Sequence, residues 1–343
     1  MKRLLWLLAA LAVAALAVAG WQIGAFLQRP VSVPEEGALY EVRPGAAFAA
    51  ISRDLAARGI IERPRVFRWY ARLKGDAARV HAGEYHIGAG TTPPALLRKL
   101  VAGEVVLHSF TIVEGWTFRE MLAALTRHDA VESTIADEED WPALLEWLGA
   151  EPDHPEGLFL PETYRFPRGT ADREILRRAY ALMAEALAEE WSRRDENSPV
   201  ATPYEALILA SIIERETARQ DERARIAGVF ARRLQRGMRL QTDPTVIYGI
   251  GPEFDGNLTR RDLTTPTPYN TYTRAGLPPT PIALPGRRSV HAALNPAPGA
   301  ELFFVATGLP DGSHKFSETH EEHDAAVQEY LARLRERRRA AGD

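Results

Sequence analysis

The chain has 343 residues, 45% of them hydrophobic and 26% charged. That balance excludes an intrinsically disordered chain and, at roughly 100–200 residues per domain, predicts about two domains. Its 42 basic and 46 acidic residues leave a net charge of −4, which argues against a nucleic-acid partner, because such a partner needs a basic face that displaces counterions from phosphates. Cysteine is absent, so disulfide frameworks, CxxC redox chemistry, thiol catalysis and cysteine-rich zinc sites are excluded together.

Lys2 and Arg3 precede an apolar run from Leu4 to Phe26, broken mainly by Gln22. About 20 such residues cross a hydrocarbon core of about 30 Å. The positive-inside rule then keeps the N-terminus in the cytoplasm and sends everything after about Gln28 outside, with Trp21 at the outer interface. Residues 1–28 read as a cytoplasmic tip and an uncleaved single-pass anchor in the inner (plasma) membrane. The competing reading is a cleaved signal peptide, for which Ala17-Val18-Ala19 offers small residues. Both export the body of the protein.

Residues 29–38 carry two prolines and no periodicity, and read as a linker. Three passages then share one layout of short β-rich run, glycine turn and amphipathic helix. They start at Tyr40, Tyr85 and Phe110 and turn at Gly45, Gly88 to Gly90 and Gly115. A further helix over Pro64 to Leu73 makes residues 39–108 a small βααβ subdomain, which at this size leans on its neighbour. Residues 109–343 form a larger mixed α/β domain, giving an α+β chain. Helices are expected at 117–127, 140–148, 171–194, 203–219, 221–236, 288–294 and 318–338. Leu302 to Ala306 is the clearest buried strand. The segment 239–287 is rich in Pro, Gly, Thr, Tyr and Asn, and a loop system this long in a compact domain is usually functional.

Thr202-Pro203-Tyr204-Glu205 has the form of a capping box with proline at the first helical position. The helix it opens is apolar all round in its middle and ends in two carboxylates, Glu214 and Glu216. At about 100° per residue these point to nearly opposite faces and cannot share one scissile bond. Glu216 follows Leu209, Ile212 and Ile213, the greasier face. Apolar surroundings raise a carboxyl pKa, which favours Glu216 as a general acid. The plain structural reading is a salt bridge from either glutamate to an arginine such as Arg219 or Arg223.

Ala210-Ser211-Ile212-Ile213-Glu214-Arg215-Glu216-Thr217 resembles the signature of the endolytic murein transglycosylases, the MltG/YceG-like family. The resemblance continues through Gly237 to Gly249, Thr265 to Tyr272, Gly276 to Ile282, Asn295-Pro296-Ala297 and His314-Lys315-Phe316. Upstream it includes Ile61 to Phe67, Val113-Glu114-Gly115 and Gly157 to Tyr164. Departures are mild: Glu162 stands where Asp is usual, Leu158 and Leu160 where aromatics are frequent, and the basic tail is extended.

The resemblance implies a lyase that cuts glycan strands of peptidoglycan internally, between N-acetylmuramic acid and N-acetylglucosamine, leaving 1,6-anhydro ends. It implies that Glu216 is the catalytic residue, that residues 39–108 are LysM-like, and that membrane-bound peptidoglycan synthases are neighbours. No metal or other cofactor is implied. One carboxylate suffices because the attacking hydroxyl belongs to the substrate, whereas most glycosidases need two. In the long loop region Tyr248, Tyr269 and Tyr272 are candidates for stacking on sugars. Gln241, Asp243 and Asn270 are candidates for hydrogen bonds to hydroxyls or acetamido groups, although Asp243-Pro244 and Asn270-Thr271 also suit ordinary turns. Glu162 is a weaker second carboxyl.

Two other readings stand beside this one. His314, His320 and His323 with Glu318, Glu321 and Glu322 suggest a metal-dependent wall amidase, but no HExxH is present. A non-catalytic wall-binding tether would leave Glu216 structural.

Overall fold

The computed structural model describes residues 2–341 except Asn197. The elements in order are α1 (Lys2–Gln28), β1 (Ala38–Val42), α2 (Phe48–Ala57), α3 (Pro64–Leu73), β2 (Gly83–Ile87), α4 (Pro93–Ala102), β3 (Leu107–Thr111), α5 (Phe118–Thr126), β4 (Val131–Glu132), α6 (Trp141–Leu148), β5 (Thr163–Pro167), β6 (Thr170–Ala171) and α7 (Asp172–Ser192). They continue as α8 (Pro203–Glu216), α9 (Arg223–Gln235), α10 (Asp243–Ile250), α11 (Arg260–Thr264), α12 (Arg287–Leu294), β7 (Phe303–Ala306), β8 (His314–Ser317) and α13 (His320–Ala341). The chain divides into two compact units, residues 1–108 with 165–170, and residues 109–164 with 171–343. Every strand belongs to a two-stranded pair, ordered β1-β2, β3-β5, β4-β6 and β7-β8.

In the first unit β1 and β2 run antiparallel with Tyr40 opposite Tyr85. Both tyrosines are buried with Phe48, Ile51, Leu55, Phe67, Leu96 and Leu100, so α2, α3 and α4 close over one face of the ribbon. Their hydroxyls are satisfied by main-chain carbonyls, Tyr40 on Ile51 at 3.3 Å and Tyr85 on His81 at 2.8 Å, as buried polar groups require. Helix α1 is long and apolar enough to cross a membrane. Its last turn adds Phe26 to this core, and the Val31 N–H donates to the Thr91 carbonyl at 2.7 Å.

The second unit is built around α8. Residues Ala206 to Ile213 are all buried, and α7, α9, α10 and α12 pack around them. A helix apolar on every face requires such cover. Thr202 caps it by accepting from the Glu205 N–H at 3.1 Å, while the Glu205 carboxylate reaches past the cap to the Ala201 N–H at 2.6 Å. Only half of a capping box is therefore present. The helix stops at Glu216 rather than 219, because Thr217 is extended and its hydroxyl accepts from the Arg219 N–H at 3.0 Å.

Up to α12, the segment 239–286 contains the short helices α10 and α11 and one 3-10 turn, Gly251–Glu253. Strand β7 pairs antiparallel with β8, Phe304 opposite Phe316. Its four residues are half-buried rather than buried, since a two-stranded ribbon has no further strand to cover its edges.

Candidate active site

The side chain of Glu216 is delivered by the last residue of α8 to a cavity of about 460 Å³. Gln241, Thr242, Asp243 and Tyr272 line it from the long loop region, and Phe303, Phe304, His314 and His323 from the C-terminal ribbon and helix. The Thr242 hydroxyl donates to Glu216 Oε1. Burial raises the Glu216 pKa to about 7; the Thr242 bond opposes that rise and the negative charge of Asp243 adds to it. A carboxyl poised there holds a proton for donation and can also take one back.

The loop that faces Glu216 is fixed from below. Arg233 is buried and its guanidinium donates to the carbonyls of Leu240 at 2.8 Å, Arg239 at 3.1 Å and Leu302 at 2.6 Å. Gln241 N–H donates to Thr271 O at 3.2 Å, and Thr242 N–H to Thr271 Oγ1 at 3.1 Å. Between these anchors Gln241 takes φ +54°, the one left-handed non-glycine among the described residues. Such a conformation is costly for a side chain with a Cβ, and persists where surrounding bonds over-determine it.

Of the residues singled out in the sequence, Glu216, Gln241, Asp243 and Tyr272 meet in this cavity. The Tyr272 hydroxyl donates to Asp243 Oδ1 at 2.6 Å. Tyr248 and Tyr269 lie elsewhere in the unit, their rings edge to face at 5.0 Å. The Tyr248 hydroxyl bonds Glu156 at 3.0 Å, and that of Tyr269 meets Thr280 Oγ1 at 2.9 Å. Asn270 is fully buried. Its amide NH₂ faces the carbonyls of Asp262, Leu263 and Thr265, and its oxygen accepts from the Tyr272 N–H at 2.9 Å. It brackets the loop that presents Tyr272. Glu162 is exposed, outside the cavity lining.

Sequence reasoning passed over Glu156. It is 2% exposed, accepts from the Phe118 N–H at 2.9 Å, and burial raises its pKa to about 8. The glycine beside it was the available signal: Gly157 sits at φ +80°, and a Cβ there would come within 2.5 Å of Pro281. Ser211 of the helix motif likewise has a structural task, accepting from the Ile282 N–H at 2.9 Å. That bond ties α8 to the segment Gly276 to Ile282.

The three histidines line the same cavity, and the rings of His320 and His323 meet edge to face at 6.4 Å. His314 Nδ1 bonds Glu222 at 2.7 Å, His320 Nδ1 bonds Asp324 at 2.9 Å, and His323 stacks on Phe303 at 5.2 Å. Among the described residues no group of three or more His, Asp or Glu side chains is arranged to hold a metal ion.

Residues 40–329 match the model of the YceG-like family. A protein of Bacillus subtilis named endolytic murein transglycosylase is 31% identical, over 85% of this chain and 84% of its own length. One of the same name from Streptococcus pneumoniae is 28% identical over 84% of this chain, which spans 57% of that longer protein. A crystal structure of a YceG-like protein from Listeria monocytogenes superposes with a TM-score of 0.53 at 28% identity, covering 85% of this chain and 99% of that one.

Proposed function

The chain belongs to the YceG-like family, and from that premise we infer that it is a lytic transglycosylase of peptidoglycan, a lyase rather than a hydrolase. The observation that carries the reading is the carboxyl of Glu216, raised to about 7 in an open cavity. In this reading the enzyme cuts within the glycan strand. Protonated Glu216 gives its proton to the glycosidic oxygen as the bond from C1 of the muramyl residue breaks. The resulting carboxylate takes the proton of the C6 hydroxyl as that oxygen bonds to C1. One proton moves from O6 to O4, and the product ends in a 1,6-anhydro ring. Attack from within the same sugar gains effective molarity, which offsets the lack of a second carboxylate nucleophile. Asp243 holds the acid form by its charge, and Gln241 and Tyr272 contact the sugars.

Helix α1 anchors the enzyme in the plasma membrane with both units outside the cytoplasm, where nascent strands leave the membrane-bound synthases. The first unit, with its β1-α2-α3-β2 order, acts as a LysM-like glycan-binding module.

The test is product analysis by mass spectrometry on purified peptidoglycan, using the full chain in detergent because Phe26 belongs to the first unit's core. The parent yields anhydro-muramyl ends, with or without EDTA. Glu216→Gln lowers the rate by roughly 10²–10⁴-fold, the usual worth of a general acid. Reducing ends, free peptides or no product from the parent would overturn the reading.

A further inference from the structure

A second polar group faces the Glu216 cavity and has no part in the mechanism above. His314 opens β8 and lines the cavity. Glu222, at the start of α9, holds it twice: Oε1 accepts from the His314 N–H at 3.0 Å and Oε2 from Nδ1 at 2.7 Å. Both side chains are largely buried, at 12% and 9% exposure, and Phe304 meets the imidazole edge to face at 5.6 Å. The ring is therefore fixed in place and orientation. A carboxylate offers only acceptors, so Nδ1 carries a proton and Nε2 is the acceptor of the neutral ring. Nε2 has no protein partner among the described residues. An orienting carboxylate, an imidazole of set tautomer and a nitrogen left for a ligand is an arrangement that fixes which tautomer faces the substrate.

We propose that His314, oriented by Glu222, is a saccharide-binding residue of the Glu216 cavity whose Nε2 accepts a hydrogen bond from a hydroxyl or acetamido N–H of the glycan. This rests on the glycan-cleaving reading of the site. Glu222, which also pairs with Arg219 at 3.5 Å, lies outside the cavity lining and is a positioning residue that acts on the sugar through the His314 tautomer. Glu222→Gln leaves one acceptor oxygen for two donors. Where that oxygen keeps the His314 N–H, the amide NH₂ faces Nδ1 and the ring turns to the tautomer with a proton on Nε2.

The experiment uses the full chain in detergent and measures kcat and KM on uncrosslinked glycan strands for parent, His314→Ala, His314→Gln and Glu222→Gln. Melting temperature and ¹⁵N shifts of the imidazole are recorded for each. His314→Ala lowers kcat/KM about tenfold, the order expected for one lost hydrogen bond in a buried site. His314→Gln, which keeps an acceptor, recovers part of that loss. Glu222→Gln moves the ring shifts to the other tautomer and lowers kcat/KM by a similar factor without a matching loss of melting temperature. Titration of a GlcNAc–MurNAc oligosaccharide into Glu216→Gln and into Glu216→Gln/His314→Ala separates binding from chemistry, the double variant binding about tenfold more weakly. Parental kcat/KM and parental oligosaccharide affinity in the His314 variants would overturn the proposal. A parent that does not cleave glycan refutes the activity reading instead, and the titration alone then decides the role of His314.

Discussion

Glu214 and Glu216 leave the same end of α8 on opposite sides and meet different surroundings. Glu214 is 4% exposed, bonded by Arg223 at 2.7 Å and by the Gly286 N–H at 2.9 Å. Glu216 meets the Thr242 hydroxyl and an open cavity lined by Asp243. Burial raises both pKa values, but the amide of Gly286 and the charge of Arg223 pull that of Glu214 back. A carboxyl offered a cation and an amide is held in place by both and becomes structure. One offered a neutral hydroxyl and a second acid keeps its proton and is available for chemistry.

The contrast breaks most visibly on the Glu214 side. Glu214→Ala leaves Arg223 buried with only the more distant Glu114, at 3.5 Å, to answer it. Loss of one partner of a buried pair predicts destabilisation of about 3 kcal/mol in urea unfolding. A variant as stable as the parent would mean that the pair is not the brace it looks to be.

Proton linkage sharpens the other side. With an ordinary value of 4.5 raised to about 7 in the folded chain, folded Glu216 keeps a proton that the unfolded chain has released across that window. Stability therefore falls as pH rises from about 4.5 to about 7. Glu216→Gln removes that cost and gains about 1–2 kcal/mol at pH 8, discounted for the partial exposure of the group, and nothing at pH 4. In the parent, kcat/KM falls about tenfold per unit above pH 7 as the acid form is lost. A flat profile from pH 6 to 9 would remove the protonated carboxyl from the mechanism.

The smallest effects come from two tyrosines. Tyr272→Phe frees Asp243 of its 2.6 Å donor and lowers kcat/KM about three- to tenfold, the range of one charge-assisted hydrogen bond. Tyr248→Phe takes the hydroxyl from buried Glu156, leaves turnover at the parental level and costs about 1 kcal/mol of stability. Equal losses of activity in the two variants would mean that both tyrosines serve the sugar.

Helical periodicity, capping residues and the Pro- and Gly-rich punctuation made much of the helix layout legible before any coordinates, within two or three residues at each end. The sequence set Glu216 apart from Glu214 by an incomplete argument. Both faces of α8 are buried, Leu207, Ala210 and Ser211 no less than Leu209, Ile212 and Ile213, so the greasier face does not separate them. Arg223, which lies on another helix, does. The composition of the long loop set it apart, and its members divide: Gln241, Asp243 and Tyr272 line the cavity, while Asn270, Tyr248 and Tyr269 bond protein partners outside its lining.

Local order was thus written in the sequence, because helix caps, turns and apolar spacing are decided by residues a few positions apart. The tertiary structure alone decided which carboxyl is bonded by an arginine, which tyrosines are spent on buried partners, and that His314, about a hundred residues after Glu216, faces the same cavity. Those outcomes depend on desolvation and on partners brought together by folding, and neither can be read from neighbours along the chain.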